Sequence, residues 1–440
     1  MLAKLLPIMI VSGLFAAPKP ATLTFHKDVA PILQARCQGC HRAGEAAPMA
    51  LLTYQDARPW AKAIREAVAT RKMPPWHADT PHGAFLNDRR LPEAERNTLM
   101  AWVDGGAPEG NAADAPPPIR FADGWTIGKP DAVIGMGADH KVPATGTVDY
   151  TWFVVPSGFT EDKWVEKVEL RPGARSVVHH IVLFVRPPGS QFMSQAKPGV
   201  PFYPPKGKKP EAADTGRGSF NSLGASNEMI SVYVPGGDAY VTRPGQARLV
   251  KAGSDLLFQM HYTANGKEMV DHSKVGFVFA KQSPQQRVVN TFIMNPLLKI
   301  PPGAPEHEVH ARVTVHTDVE LLNFFPHMHV RGKKFEYRVK YPDGRTEVLL
   351  SVPRYDFNWQ MTYTLKDPLR LPAGTEIDGV AWYDNSPNNK FNPDPTAEVT
   401  WGDQTWEEML AGFVDFAIPL DVAPTSISRP KPQTQPAAGQ

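Results

Sequence analysis

The chain has 440 residues, two cysteines and a formal net charge of +2 at neutral pH. The length predicts two to four domains, and the interspersed acids and bases give no reason to expect nucleic acid or an anionic membrane as a partner. Proline, at 45 residues, is about twice as frequent as usual, which favours linkers and short strands.

The first 21 residues have the pattern of an export signal. Lys4 precedes an apolar run over residues 5–15, which is too short to span a bilayer comfortably, and the small residues Ala16 and Ala17 follow. An uncleaved anchor is the alternative interpretation. We expect a signal peptide at 1–21, a periplasmic or secreted protein, and no integral membrane domain after cleavage.

Both cysteines lie in the segment Cys37-Gln38-Gly39-Cys40-His41. C-x-x-C-H is typical of c-type haem attachment, because two thiols at this spacing add to the porphyrin vinyl groups and the histidine binds the iron. A redox dithiol would leave His41 unexplained, and a zinc site would lack its second cysteine pair. The segment therefore predicts one covalent haem bound by Cys37, Cys40 and His41.

Helical patterns flank this segment. Apolar residues recur at helical spacing over 25–33, and a second helix is predicted over 91–103, before Gly105 and Gly106. This arrangement resembles a class I cytochrome c domain, here residues 22–110. Met73 is the preferred sixth iron ligand because the prolines after it hold the chain extended, and Met49 and His77 are the alternatives.

From residue 125 onward the pattern changes to strands. Segments rich in β-branched and aromatic residues alternate with Gly, Pro, Asn and Asp clusters, and helical periodicity is lacking. These segments are 165–170, 177–185, 256–262, 312–325 and 335–341.

We therefore predict a mixed multidomain chain, in which a small all-α cytochrome c domain precedes two tandem all-β antiparallel sandwiches of jelly-roll type. The predicted segments are a Pro-rich linker at 111–124, sandwiches at 125–297 and 298–425, and a disordered tail at 426–440.

Five histidines lie within apolar strand segments, where an unpaired polar group is costly: His179, His180, His261, His327 and His329. Two residues apart on a strand, His327 and His329 face the same side and can reach one metal. The adjacent His179 and His180 should face opposite sides, and they need a β-bulge or the twisted end of a strand to share a metal. We interpret the following histidines as ordinary core or surface residues: His26, His82, His140, His272, His307, His310 and His316. Of these, His310 and His316 are six residues apart on an alternating stretch, a spacing that could mimic a metal site.

The order of these residues resembles that of the type II copper monooxygenases, the family of peptidylglycine α-hydroxylating monooxygenase and dopamine β-monooxygenase. The matching segments are His179-His180, Gln259-Met260-His261-Tyr262, His327-Met328-His329-Val330-Arg331-Gly332-Lys333 and Thr405-Trp406-Glu407-Glu408-Met409. The resemblance implies that His179, His180 and His261 bind an electron-accepting copper in the first sandwich. It implies that His327, His329 and Met409 bind the oxygen-activating copper in the second. Imidazole and thioether ligands suit copper independently of the resemblance.

Three positions differ from the peptide-amidating members of that family. Those enzymes bind the substrate carboxylate with an arginine before the H-x-H motif and with an asparagine and a tyrosine after the methionine, where this chain has Phe325, Ala411 and Phe413. A carboxylate would be unpaired there, so we expect a small apolar substrate.

The chain also has no cysteine left for a disulfide, and its fused haem domain would raise the local concentration of electron donor.

The sequence thus predicts a periplasmic copper-dependent monooxygenase with one haem and two coppers. In this hypothesis an external donor reduces the haem, the haem supplies electrons to the coppers, and the protein acts on O2 and a small organic substrate. The alternatives are a dehydrogenase-like enzyme with reversed electron flow and a non-catalytic electron carrier with haem and copper centres.

Overall fold

The computed structural model describes residues 22–45, 47–79, 82–121, 124–203 and 228–430. The signal peptide predicted at 1–21 lies outside these ranges. The described chain is mostly β-structure, with a few helices that all precede residue 115 except for one short turn near the end. Over these ranges, no helix combines the length and the apolar character needed to cross a membrane.

The helical part contains four α-helices. They are α1 (Ala30–Arg36), α2 (Tyr54–Ala57), α3 (Ala61–Ala69) and α4 (Glu93–Asp104), with a π-helical turn at Phe25–Val29 and 3-10 turns at Arg58–Trp60 and Ala112–Asp114. A further 3-10 turn, at Pro424–Ser426, lies outside this part, near the end of the described chain. The two predicted helices are thus confirmed. Acidic Glu93 and Glu95 lie in the first turn of α4, where their negative charges interact favourably with the helix dipole. Gly105 caps the C-terminal end of the helix. Trp102 of α4 is fully buried against Phe25 and Leu33.

Twenty-two strands follow in the remaining described chain. They are β1 (Ala132–Gly135), β2 (His140–Val142), β3 (Thr151–Pro156), β4 (Lys163–Arg171), β5 (Val178–Arg186), β6 (Glu228–Tyr233), β7 (Tyr240–Val241), β8 (Gln246–Val250), β9 (Asp255–Tyr262), β10 (Met269–Asp271), β11 (Lys274–Phe279), β12 (Gln286–Met294), β13 (Lys299–Ile300), β14 (His307–Val315), β15 (Val319–His327), β16 (Gly332–Lys340), β17 (Thr346–Val352), β18 (Tyr363–Leu371), β19 (Glu376–Tyr383), β20 (Val399–Thr400), β21 (Ala411–Pro419) and β22 (Ser428–Pro430).

Three sheets dominate the arrangement. Sheet I has nine strands, in the order β1-β11-β4-β8-β12-β21-β15-β18, with β7 beside β4. Sheet II has the order β3-β9-β5-β6, and sheet III the order β17-β16-β19-β14-β22. One core joins sheet II to the β1-to-β8 half of sheet I, and another joins sheet III to the β12-to-β18 half. The chain therefore forms a first and a second sheet pair.

The strands of sheet II are apolar on both faces. Phe153 and Val155 of β3 enter the core of the first sheet pair, whereas Trp152 and Val154 point the other way. The outward side chains meet the outward side chains of β15 and β21, forming a buried interface cluster. Its members are Trp152, Val154, Val182, Phe184, Met193, Ala196, Met229, Leu257, Phe325, Met409, Ala411 and Phe413. The two sheet pairs thus pack face to face through this cluster.

The structure corrects three predicted boundaries. The segment 312–325 is two strands, β14 and β15, because the chain turns at 316–318 and passes from sheet III to sheet I. Strand β12, assigned by the predicted boundary at 297 to the first sandwich, pairs along its length with β21 of the second sheet pair. The predicted tail begins with β22, which pairs with β14, and residues 431–440 lie outside the described ranges.

The helical part contacts both sheet pairs. Between α3 and α4, Trp76 and Phe85 enter the core of the second sheet pair, with ring centroids 5.0 and 5.7 Å from Tyr363. Leu86 donates its backbone N–H to the carbonyl of Thr364 at 2.8 Å, on edge strand β18. Trp76, Ala78 and Phe85 are consequently part of the second core.

Candidate functional site: a helix-lined cavity and a histidine cluster

The C-x-x-C-H segment continues directly from α1. Cys37 donates its N–H to Leu33 O at 2.9 Å, and His41 donates its N–H to Cys37 O at 2.9 Å. This helical turn brings both cysteines and His41 to the wall of one cavity of about 610 Å³, a volume in the range of small-molecule and cofactor sites. Apolar side chains of α3 and α4, including Ile64 and Leu99, line much of it.

The ring of His41 is oriented for a metal bond. Its Nδ1 lies 3.3 Å from Met49 O and donates to that carbonyl, which leaves the lone pair on Nε2. Burial lowers the pKa of His41, so the ring is neutral at neutral pH. An apolar cavity with two thiols and a neutral imidazole at its wall fits a covalently attached haem.

The three candidate sixth ligands occupy different positions. Met73 and Met49 both line the cavity, but the carbonyl of Met49 lies against His41. His77 lines a separate cavity of about 240 Å³. Because the Met49 backbone is hydrogen-bonded to His41, Met73 is the better candidate of the two methionines.

The cysteines do not have the environment of a redox dithiol. Burial raises the pKa of Cys37 to about 12 and also raises that of Cys40. Reactive thiols of C-x-x-C redox proteins have a lowered pKa instead. The electrostatics therefore favour attachment of a group over thiol–disulfide exchange.

A β-bulge positions the first three histidines. On β5 the register with β9 shifts between Val178 and His180, and His180 then lies opposite His261. The bulge predicted for this pair is confirmed, and it turns the ring of His179 towards the other two. The Nδ1 atom of His179 lies 3.2 Å from Nδ1 of His180 and 3.2 Å from Nδ1 of His261.

These distances fit one bound metal ion. Two imidazole nitrogens bound tetrahedrally at about 2.0–2.1 Å stand about 3.3 Å apart. Ligand atoms of His179, His180 and His261 all lie within 4.8 Å of one another, the one such group of His, Cys, Asp or Glu side chains among the described residues. Burial lowers the pKa of His179 to about 4 and places those of the other two well below the usual value. All three rings are neutral, as metal ligands must be.

The H-x-H histidines are held through their Nδ1 atoms. His327 Nδ1 donates to Gln360 Oε1 at 2.5 Å, and His329 Nδ1 donates to Glu407 O at 3.1 Å. The Nε2 atoms therefore carry the lone pairs, and that of His329 is buried without a hydrogen-bond partner in the described chain. Burial lowers the pKa of His327 to about 4 and that of His329 to about 3. Such free nitrogens suit a metal.

Glu408 connects the H-x-H segment to Met409. Its carboxylate is fully buried and accepts backbone N–H groups of His329 at 2.9 Å, Arg331 at 2.7 Å and Met409 at 3.2 Å. Burial raises the pKa of Glu408 to about 7. The same carboxylate thus fixes the two segments that supply the predicted second ligand set.

The two ligand sets face each other across the interface between the sheet pairs. The ring centroids of His180 and His327 are 6.1 Å apart. Tyr150, which is buried, lies between the sets, with its ring centroid 4.5 Å from that of His261 and 6.2 Å from that of His329. The five histidines therefore form one histidine cluster, although they come from both sheet pairs.

The environment of Met409 is apolar, as expected from the sequence. Phe325, Ala411 and Phe413 lie with Met409 in the interface cluster, and the rings of Phe325 and Phe413 are 5.5 Å apart. Several other histidines have ordinary partners: His26 pairs with Glu109, His272 with Asp139 and His310 with Asp378.

The sequence patterns missed residues of the loop between β17 and β18. Phe357 stacks on His179 with centroids 4.9 Å apart, and Gln360 binds His327. No motif marks these positions; the only signal is a loop that carries Tyr355, Phe357 and Trp359. Tyr150, before β3, was missed for the same reason.

Comparisons with known proteins identify no family. No family model and no curated protein matches the chain. The structure matches one of infectious bursal disease virus, Gx strain, at 10% identity and a TM-score of 0.20, over 69% of this chain and 75% of that one. It also matches a VP2 subviral particle of that virus at 11% identity and a TM-score of 0.18, over 69% and 75%. A structure of the stem and receptor-binding domain of the spike protein P1 from bacteriophage PM2 matches at 9% identity and a TM-score of 0.10, over 63% of this chain and 100% of that one. TM-scores this low show no shared fold.

Proposed function

We propose that this protein is a copper-dependent monooxygenase that hydroxylates a small apolar substrate with O2 and receives electrons from its own c-type haem. The observation that carries the proposal is the convergence of three Nδ1 atoms, from His179, His180 and His261, opposite His327 and His329, whose Nε2 atoms carry the lone pairs. Burying neutral imidazoles whose ring nitrogens lack hydrogen-bond partners is costly unless they bind a metal, and Nε2 of His179, His180 and His329 has no such partner among the described residues.

The architecture supports the same proposal. In this reading, residues 22–110 form a cytochrome c domain, and the two sheet pairs are jelly-roll-like sandwiches that each supply one ligand set. Helices α1, α3 and α4 surround the cavity beside Cys37 and Cys40. A cavity lined by α-helices and two sheet pairs with facing histidines agree with both halves of this architecture.

The residues of the two ligand sets differ in what they could hold. His179, His180 and His261 offer three imidazoles, whereas His327, His329 and Met409 offer two imidazoles and a thioether, a soft ligand that favours Cu(I). Copper bound at these sites would supply one-electron redox chemistry and O2 activation. The protein would hold the imidazoles neutral and oriented, and Glu408 would keep Met409 close to the H-x-H segment.

The substrate class follows from the apolar side chains around Met409. Phe325, Ala411 and Phe413 offer no charged partner for a carboxylate. An organic substrate without charge near its reacting carbon is therefore the best fit. A periplasmic or secreted location agrees with the haem attachment segment and the apolar N-terminal run.

Metal analysis beside a visible spectrum tests the proposal. We expect one haem and two coppers per full-length chain, and the double variant His327→Ala/His329→Ala should lose one copper and keep the other. The matched control is His310→Ala/His316→Ala, which should keep both coppers. A wild-type protein that binds one copper or none after reconstitution would contradict the proposal. Reduction of the oxidised haem by an organic substrate without O2 would favour the dehydrogenase-like alternative.

A further inference from the structure

The loop at 353–362, between β17 and β18, reaches both the cavity beside Cys40 and the histidine cluster. Trp359 lines the 610 Å³ cavity. Two residues earlier, Phe357 stacks on His179 at a centroid distance of 4.9 Å and an interplanar angle of 21°. Two residues span at most about 7 Å of chain, so the aromatic side chains connect the two sites over a short distance.

Hydrogen bonds fix this loop. Tyr355 donates its hydroxyl to Met328 O at 2.7 Å, inside the H-x-H segment, and accepts the Met328 N–H at 3.0 Å. The backbone N–H of Trp359 donates to Asp356 O at 2.9 Å, and Gln360 Nε2 donates to Phe357 O at 3.1 Å. The side chains at 357 and 359 are therefore held in position relative to the histidines.

We propose that Trp359 and Phe357 form the electron-transfer route from the haem to the copper bound by His179, His180 and His261. This inference rests on the proposed function. In the step, Fe(II) of the haem loses one electron and becomes Fe(III), and Cu(II) gains that electron and becomes Cu(I). No bond is formed or broken and no proton is transferred, because both side chains serve only as a pathway.

The same loop offers a second branch. Gln360 is covalently linked to Trp359 and accepts a hydrogen bond from His327, in the other ligand set. The stacked ring of Phe357 favours the first branch because it contacts His179 face to face and also lies 5.8 Å from His261. Trp359 is thus shared, and Phe357 and Gln360 distinguish the branches.

Flash photolysis of the full-length protein with haem and both coppers measures the step directly. A flash-generated 5-deazaflavin radical, in substoichiometric amount and without O2, reduces the haem, and the haem α-band then decays as Cu(II) is reduced. Trp359→Leu should slow this decay about tenfold or more, equivalent to about 1.4 kcal/mol in activation free energy. Trp359→Phe should stay within about threefold of wild type because it keeps an aromatic ring.

Matched variants and a redox titration complete the test. Trp60→Leu, at an exposed tryptophan outside the cavity, and Phe391→Leu, at an exposed phenylalanine, should leave the rate unchanged. The haem midpoint potential of every variant is measured, so that rates are compared at known driving force. Phe357→Leu should slow the decay as Trp359→Leu does.

The outcomes separate the route from the function. If the haem of the wild-type protein stays reduced with both coppers bound, the proposed haem donor itself is refuted. If the wild type transfers the electron and Trp359→Leu does so equally fast at equal driving force, the route is refuted and the function stands. A slower rate in Gln360→Leu but not in Phe357→Leu would refute the Phe357 branch.

Discussion

Replacing Gln360 by leucine should weaken copper binding at His327 and His329. The Gln360 side chain is 2% exposed, and its Oε1 accepts the Nδ1–H of His327 at 2.5 Å. Metal binding through Nε2 requires the proton on Nδ1, so leucine would leave this N–H buried and unpaired in the metal-bound state. In the metal-free state the proton can move to Nε2, and the cost is largely avoided.

The cost of an unpaired buried donor, about 1–3 kcal/mol, translates into a loss of about 5- to 150-fold in affinity. This range agrees with the effect of removing hydrogen-bond partners of metal-bound histidines, about 10–100-fold. Competition with a chromophoric Cu(I) chelator measures the affinity of the second site. Gln360→Glu is the control, because it keeps an acceptor oxygen and should keep the affinity. An unchanged affinity in Gln360→Leu would refute the assigned tautomer of His327.

Three further predictions concern the cavity beside Cys40, the histidine cluster and the contact of Gly236 with Cys40. Met73→Ala should abolish low-spin methionine ligation in the haem spectrum while Met49→Ala should not, and the opposite result would transfer the role. In metal-free protein, the pKa of His327 is about 4 against about 6.5 unfolded. Because only the unfolded state then takes up protons, stability should fall from pH 6.5 towards 4, by on the order of 3 kcal/mol for this residue; urea unfolding with no such slope would contradict it. Gly236 has a φ of +73°, and a Cβ there would meet Cys40 Sγ at 3.1 Å. Gly236→Ala should cost about 1–2 kcal/mol of stability and lower haem content, measured by thermal unfolding and haem absorbance.

Local patterns predicted the elements that depend on neighbouring residues. The helices beside Cys37 are confirmed, because their apolar periodicity reflects which face is buried. The strand segments at 165–170, 177–185, 256–262 and 335–341 are confirmed, because their β-branched and aromatic residues favour strands. The bulge at His179 could also be inferred, since two adjacent histidines reach one point only where the alternation of a strand is broken.

Long-range pairing was not readable from the sequence. The strand-like residues from Arg312 to Phe325 continue through a turn, because β14 and β15 are both strands and the turn separates them only by the sheet that each joins. Their burial also differs, since β14 alternates between buried and partly exposed residues and β15 is buried on both faces. Strand β12 lies before the predicted boundary but pairs with β21, more than 100 residues later. The roles of Phe357 and Gln360 depend on which loop the fold places beside the histidines, and no local pattern encodes that.

The burial of Trp76 and Phe85 in the second core has a consequence for the order of folding. Their partner Tyr363 lies 287 residues after Trp76 and 278 residues after Phe85, so the surface of the helical part stays open until β18 has been synthesised. Domains that emerge first from the ribosome usually fold first, but the helical part can complete its packing only after β18 has been synthesised. Residues 22–110 produced alone would expose two aromatic side chains, whereas the full chain covers them with its own C-terminal half.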